Sequence, residues 1–150
     1  MPHPKNLLTF VSILALAPGL SAADPVPTDW IDPDTGHRIV RLSREPDTAS
    51  LYFHQNAFSV GGDKMILTSA KGISIIDLAT REIKLVAPDV PYSVTGSSGI
   101  EFGHKTRQIF FQKNGAVWAT NIDTLSTREL AKLPDGGSMS ALNADETLVV

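Results

Sequence analysis

The side chains best equipped for chemistry crowd into one short stretch, where Arg44, Tyr52, His54, Gln55 and Asn56 follow one another closely. An arginine fork binds a carboxylate or phosphate through two parallel hydrogen bonds. An imidazole titrates near neutrality and can act as acid, base or metal ligand. The amides of Gln55 and Asn56 supply both donors and acceptors. Each also has an architectural use. Arg44 can pair with the adjacent Glu45 at the surface, where such a pair contributes little; His54 can be a hydrogen-bonded structural histidine; Gln55 and Asn56 can serve turns or neighbouring strands. On an extended strand Tyr52, His54 and Asn56 share one face, and Phe53 and Gln55 the other.

Elsewhere the chemistry is sparse. With no cysteine, the chain makes no disulfide, thiolate metal site or cysteine nucleophile. His37 and His104 sit in turn-like surroundings and read as structural or solvated, and no spacing among the histidines suggests a metal site in this chain. G-x-G-x-x-G, G-x-x-x-x-G-K-[ST], H-E-x-x-H and G-x-S-x-G are absent. Residues 93–99 are polar and glycine-rich but lie between two strand patterns, so they read as a connecting loop and not a phosphate cradle. A formal charge of -3, from 13 basic and 16 acidic residues, gives no footprint for nucleic acid.

The elements that must position these residues are strands. Residues 1–23 carry one lysine, an apolar run over 7–17 and Ser21-Ala22-Ala23, the three parts of a bacterial Sec-type signal peptide cleaved before Asp24. Residues 24–33, with Pro25, Pro27 and Pro33, read as a linker. Beyond them short apolar runs alternate with Gly, Asn and Asp turns, predicting strands near 38–42, 52–58, 64–68, 72–77, 82–86, 100–103, 108–112, 115–122, 128–132 and 139–150 and no substantial helix. The plan repeats: Met65 matches Ile109, and Thr80-Arg81-Glu82 matches Thr127-Arg128-Glu129. Four strands every 40 to 47 residues are the period of a β-propeller blade. The expectation is an all-β chain with a lone clasp strand over 34–42, blades over 51–87 and 98–133, and a partial blade over 138–150. This is about two and a half blades at the N-terminal end of a larger ring. Trp118, inside an apolar strand, reads as core.

The run Trp30-Ile31-Asp32-Pro33-Asp34-Thr35-Gly36-His37-Arg38-Ile39-Val40-Arg41-Leu42-Ser43-Arg44-Glu45-Pro46, followed by Ala49-Ser50-Leu51-Tyr52-Phe53-His54-Gln55-Asn56-Ala57-Phe58, resembles the opening of oligogalacturonate lyases. Gly62-Asp63-Lys64-Met65, Gly72-Ile73-Ser74 and Asp77-Leu78-Ala79-Thr80-Arg81 are similar to that family's first blade, and Asn143-Ala144-Asp145-Glu146-Thr147 to its third. The resemblance implies a seven-bladed propeller that cleaves short pectin oligomers by β-elimination with Mn2+ or another divalent metal. It also implies that the metal ligands and catalytic base lie outside this chain. Family members are usually cytoplasmic, whereas the leader here implies a periplasmic or secreted protein, free of the membrane once the signal is removed.

β-Elimination of a uronate needs a base for the C5 proton, neutralisation of the carboxylate and help for the departing C4 oxygen. In a propeller the channel mouth is crowded by connections from one blade's outer strand to the next blade's inner strand. Here that connection is 43–50, running into 51–58, so the resemblance makes Arg44, His54 and Gln55 the candidate substrate-binding residues. Two other readings stay open on these residues: a non-catalytic, TolB-like periplasmic platform for proteins or ligands, and a propeller accessory domain of a hydrolase or peptidase. The sequence is silent on oligomeric state.

Overall fold

A computed structural model describes residues 28–90 and 99–150. The signal segment, the start of the linker and most of the 93–99 loop lie outside the described residues. The described residues hold nine strands in order: β1 (Asp29–Ile31), β2 (Arg38–Val40), β3 (Lys64–Ser69), β4 (Gly72–Asp77), β5 (Ile83–Pro88), β6 (Ile100–Phe102), β7 (Gln108–Lys113), β8 (Ala116–Asn121) and β9 (Thr127–Lys132). They form three antiparallel sheets: the β1–β2 hairpin, a β3–β4–β5 meander and a β6–β7–β8–β9 meander. Among the described residues there is no helix. The two meanders are successive propeller blades, and an isolated bridge between Leu142 and Val149 begins a third.

Turn chemistry sets the strand ends. Asn114 and Gly115 both have positive φ, 51° and 71°, so β7 and β8 are joined by a two-residue turn of the hairpin-favouring hand. At Gly72, φ is 124° and an added Cβ would lie 2.2 Å from the Ala87 carbonyl oxygen, so only glycine lets β4 leave its turn against β5. At the other end of β4, Asp77 Oδ1 accepts from the amides of Ala79 and Thr80; in the next blade Asn121 Oδ1 accepts from Asp123 and Thr124. Arg81 and Leu125 then close the turns with φ of 64° and 60°.

These equivalences put the two blades 44 residues apart throughout, from β3 against β7 (64 to 108) to β5 against β9 (83 to 127). Both carry a register shift at the same place, Ile73/Ser74 and Val117/Trp118. Thr80 therefore corresponds to Thr124 and not to Thr127, which opens β9. The matching Thr-Arg-Glu triplets are a coincidence of polar composition between a turn and an outer strand.

The core lies between blades. Ile66, Ile73, Ile75 and Val86 from the first blade pack with Ile100, Phe102, Ile109, Phe111 and Ile122 from the second, while Phe110, Val117 and Ala119 turn to the opposite face and pack with Met139 and Leu142. Alternate side chains of β7 thus serve two cores, which is why the run Ile109-Phe110-Phe111 is apolar without interruption. Trp118 is part-buried against the first core and donates its indole N–H to the Lys113 carbonyl.

Three expectations need correction. The linker contains β1, which pairs with β2 through Trp30 and Ile39, so the 34–42 strand is half of a hairpin. Residues 52–58 form no strand. The chain bridges β3 at Ala49–Thr68 and at Phe58–Met65. An uninterrupted antiparallel ladder would set Tyr52 opposite Met65, so six residues are extra (52 to 58) and the segment between leaves the sheet. Over 139–150 there is no continuous strand: Asn143 accepts from the amides of Thr147 and Leu148 in a turn, across which Leu142 bridges Val149.

The blades are also joined by charge. Arg107, in the turn between β6 and β7, grips Asp63 in the first blade at 2.8 and 3.0 Å and Asp123 in its own blade at 2.8 Å. The Arg107 hydrogen bonds, seconded by the Ser59 hydroxyl, hold the Asp63 carboxyl far below the usual carboxylate range. Lys64, with help from the Thr80 amide, lowers Asp77 to about 2. A depressed carboxylate stabilises the fold above its unfolded pKa of about 4, and that contribution disappears as pH falls through the folded value. Stability is therefore expected to fall steadily from about pH 4 to pH 2. In Asp63→Asn that fall should be shallower, a comparison read from urea unfolding at each pH.

Candidate functional site

The six extra residues shape the most unusual surface of the chain. At the start of the excursion Leu51 is buried in the interblade core. At its end Gln55 is only 7 % exposed; its Oε1 accepts from the Tyr52 amide at 3.1 Å and its Nε2 donates to the Ile100 carbonyl at 3.3 Å. Asn56 ties in next, donating from Nδ2 to the Phe102 carbonyl while its own carbonyl accepts from the Phe102 amide. Between these anchors Tyr52, Phe53 and His54 are pushed outward, with Tyr52 55 % and Phe53 86 % exposed. Their rings pack on one another, with centroids 4.5 Å apart for Tyr52–Phe53, 5.3 Å for Tyr52–His54 and 5.7 Å for Phe53–His54. Strict strand alternation would have separated Phe53 from its two neighbours; the turn at 53–55 puts all three on one side.

Arg44 is placed elsewhere. It is exposed and lines a shallow cleft with Arg41, Arg81, Thr28 and Ile83 of the outer strand β5. Its neighbour Glu45 faces Lys71 at 3.8 Å instead of pairing with it. Arg41 donates to the Ser43 carbonyl, and Arg81 approaches Asp29 at 3.9 Å. Among the described residues Arg44 has no hydrogen bond or ion pair. The structure thus gathers three guanidinium groups at the outer edge of the first blade and the aromatic group at its inner edge, and does not merge Arg44 with His54 into one constellation. Sequence reasoning missed Arg41, Arg81 and the joint exposure of Tyr52 and Phe53. The latter had no signal apart from the unbroken Leu51-Tyr52-Phe53 run, which reads equally as strand core.

His37 and His104 are exposed in turns. No group of three His or carboxylate side chains suited to a metal ion occurs among the described residues. Acidic side chains are instead absorbed at the joints. Glu146, in the third blade's turn, is pushed up by burial but pulled down further by the Thr106 hydroxyl and the amides of Lys105 and Thr106, ending below its ordinary value.

No protein-family model matches the sequence, and no curated protein is similar to it. Solved structures are similar to the fold. An oligogalacturonate lyase from Vibrio parahaemolyticus superposes with a TM-score of 0.63 at 17% identity, over 78% of this chain and 32% of that one. An oligogalacturonate lyase in complex with manganese superposes with a TM-score of 0.66 at 21% identity, over 81% of this chain and 34% of that one. The chain spans about a third of the length of these structures, and at such identities the likeness establishes the fold they share.

The engaged amide of Gln55 makes it the residue that holds the aromatic excursion in place. Replacing it with alanine leaves the Tyr52 amide and the Ile100 carbonyl short of partners, which should cost about 1–3 kcal/mol. Urea denaturation of Gln55→Ala against the parent chain measures the loss.

Proposed function

We propose that this chain belongs to an oligogalacturonate lyase that cleaves short pectin-derived oligomers by β-elimination, leaving an unsaturated uronate. The observation that carries the reading is the superposition of over three quarters of the chain on solved oligogalacturonate lyases. The resemblance of residues 30–58 to that family supports it independently. A divalent cation, manganese or another, would neutralise the uronate carboxylate in such a reaction. The described residues hold no cluster fit to ligate it; in this reading, as the family resemblance implies, its ligands and the catalytic base come from outside this chain.

What this chain contributes is binding. His54, exposed beside Tyr52 and Phe53 at the inner edge of the first blade, is the proposed contact to a substrate carboxylate, donating a hydrogen bond from its imidazole. Arg44, exposed and without an ion-pair partner among the described residues, adds with Arg41 positive charge at the outer edge of the blade, beside Glu45 and an Arg81 that already faces Asp29, and so steers the polyanionic chain at longer range. The two contributions differ in reach. A direct charged hydrogen bond is short-ranged and survives salt; a steering field is screened within about 8 Å at physiological ionic strength.

In full-length protein acting on trigalacturonate, absorbance from unsaturated products should appear, vanish on chelation and return with Mn2+. His54→Ala is expected to lower kcat/KM by about 10- to 100-fold, the loss of a hydrogen bond to a charged group. The loss for Arg44→Ala should be only severalfold and should disappear on raising salt from about 0.05 to 0.5 M, where screening removes the field. Protein that binds the oligomer without cleaving it would turn the reading toward a binding platform.

We also infer export, on the apolar run over 7–17 and Ser21-Ala22-Ala23, which lie outside the described residues. Periplasmic protein recovered from a bacterial host should begin at Asp24 by N-terminal sequencing. A cytosolic product retaining Met1 contradicts it.

A further inference from the structure

We propose that Tyr52, Phe53 and His54 form a stacking platform for one pyranose ring of the bound galacturonate chain, and that this ring is not the one that reacts. The inference rests on the lyase reading and adds the subsite that reading lacks. Within this chain Phe53 is 86 % exposed and adds little apolar burial to the two blades. The exposure is not that of a loose loop tip. Leu51 on one side is in the core, Gln55 on the other is hydrogen-bonded to two main-chain groups, and the three rings pack at 4.5 to 5.7 Å. A surface fixed in this way loses little freedom when a ligand settles on it.

The chemistry of the platform selects its occupant. A galacturonide ring carries its C3, C4 and C5 hydrogens on one face, an apolar patch bordered by hydroxyls and a carboxylate. Phe53 and Tyr52 match the patch, and His54 stands at the rim, where its imidazole can donate to the carboxylate. The excursion leaves the sheet beside Ala49, next to the connection that enters the blade, so the platform lies toward the end where interblade connections gather. The C5 hydrogen belongs to the stacked face. A ring lying on the platform is therefore shielded from any base, and the ring that undergoes elimination must be one of its neighbours. The platform holds the chain and sets its register.

The test uses full-length protein and trigalacturonate, with calorimetric binding in chelator, steady-state kinetics with Mn2+ and the midpoint of thermal unfolding. Phe53→Ala should raise Kd and KM together about two- to tenfold, the size of an aromatic stacking contribution. The effect should fall on KM and not on kcat, because the stacked ring does not react. Phe53→Tyr, which keeps the ring, should restore both constants. An unchanged Kd in Phe53→Ala, in protein that still cleaves, overturns the platform while leaving the lyase reading intact. A lowered unfolding temperature with an unchanged Kd assigns Phe53 to packing and overturns it as well. Parent protein that neither binds nor cleaves trigalacturonate fails at the first measurement, before any variant is compared, and removes the lyase reading itself.

Discussion

The middle strands of a blade in this chain have no polar face to give to water. In β7, Ile109 and Phe111 enter one core and Phe110 the other, so the sheet is satisfied only when a neighbour covers each side. Burial between blades supplies the apolar term, but it has no direction and would allow neighbouring sheets to slide. Polar groups crossing the same joints fix the relative position: Gln55 and Asn56 reach the β6 carbonyls, Gln112 accepts from the Met139 amide, and Glu101, itself buried, accepts from the Leu142 amide. The placing of Tyr52, Phe53 and His54 follows from how the first of these joints closes.

Charge is divided between the two ends of the blades. The turns that precede β3 and β7, with those that follow β4 and β8, carry Asp63, Lys64, Asp77, Arg107 and Asp123, and the corresponding turn of the third blade adds Asp145 and Glu146, paired to Lys105 and Thr106. These groups are engaged with one another and have little capacity left for a ligand. Toward the other end, among the described residues, Glu45 faces Lys71, Lys113 donates to the Pro88 carbonyl and Gln112 accepts from the Met139 amide. Among the described residues, the first of these ends is given over to joining blades.

Much of the fold was legible because its turns are made by residues with specific backbone needs. Asn114-Gly115 and the glycine at 72 locate strand ends to within a residue or two. The 44-residue offset was visible from Met65 and Ile109. It was blurred by Thr80-Arg81-Glu82 and Thr127-Arg128-Glu129, which share composition but occupy a turn in one blade and a strand in the next. β1 escaped notice because three residues flanked by prolines carry no periodicity. The candidate site was less legible still. An alternating pattern assumes an unbroken ladder, and nothing in Leu51-Tyr52-Phe53-His54-Gln55 announces that six residues leave it. What decides the matter is long-range, the hydrogen bond from Gln55 to Ile100.

The excursion has a consequence for how such a chain diversifies. Pairing with β3 holds at Ala49 before the detour and resumes at Phe58 after it, so β3 is blind to the number of residues between. Length and composition there can drift without a register error propagating into the blade, since the ladder is reset on the far side. Sister propellers can therefore acquire different recognition surfaces at this one address while inheriting the same joints, and grafting a foreign loop between these two pairing points leaves the scaffold's own instructions unaltered.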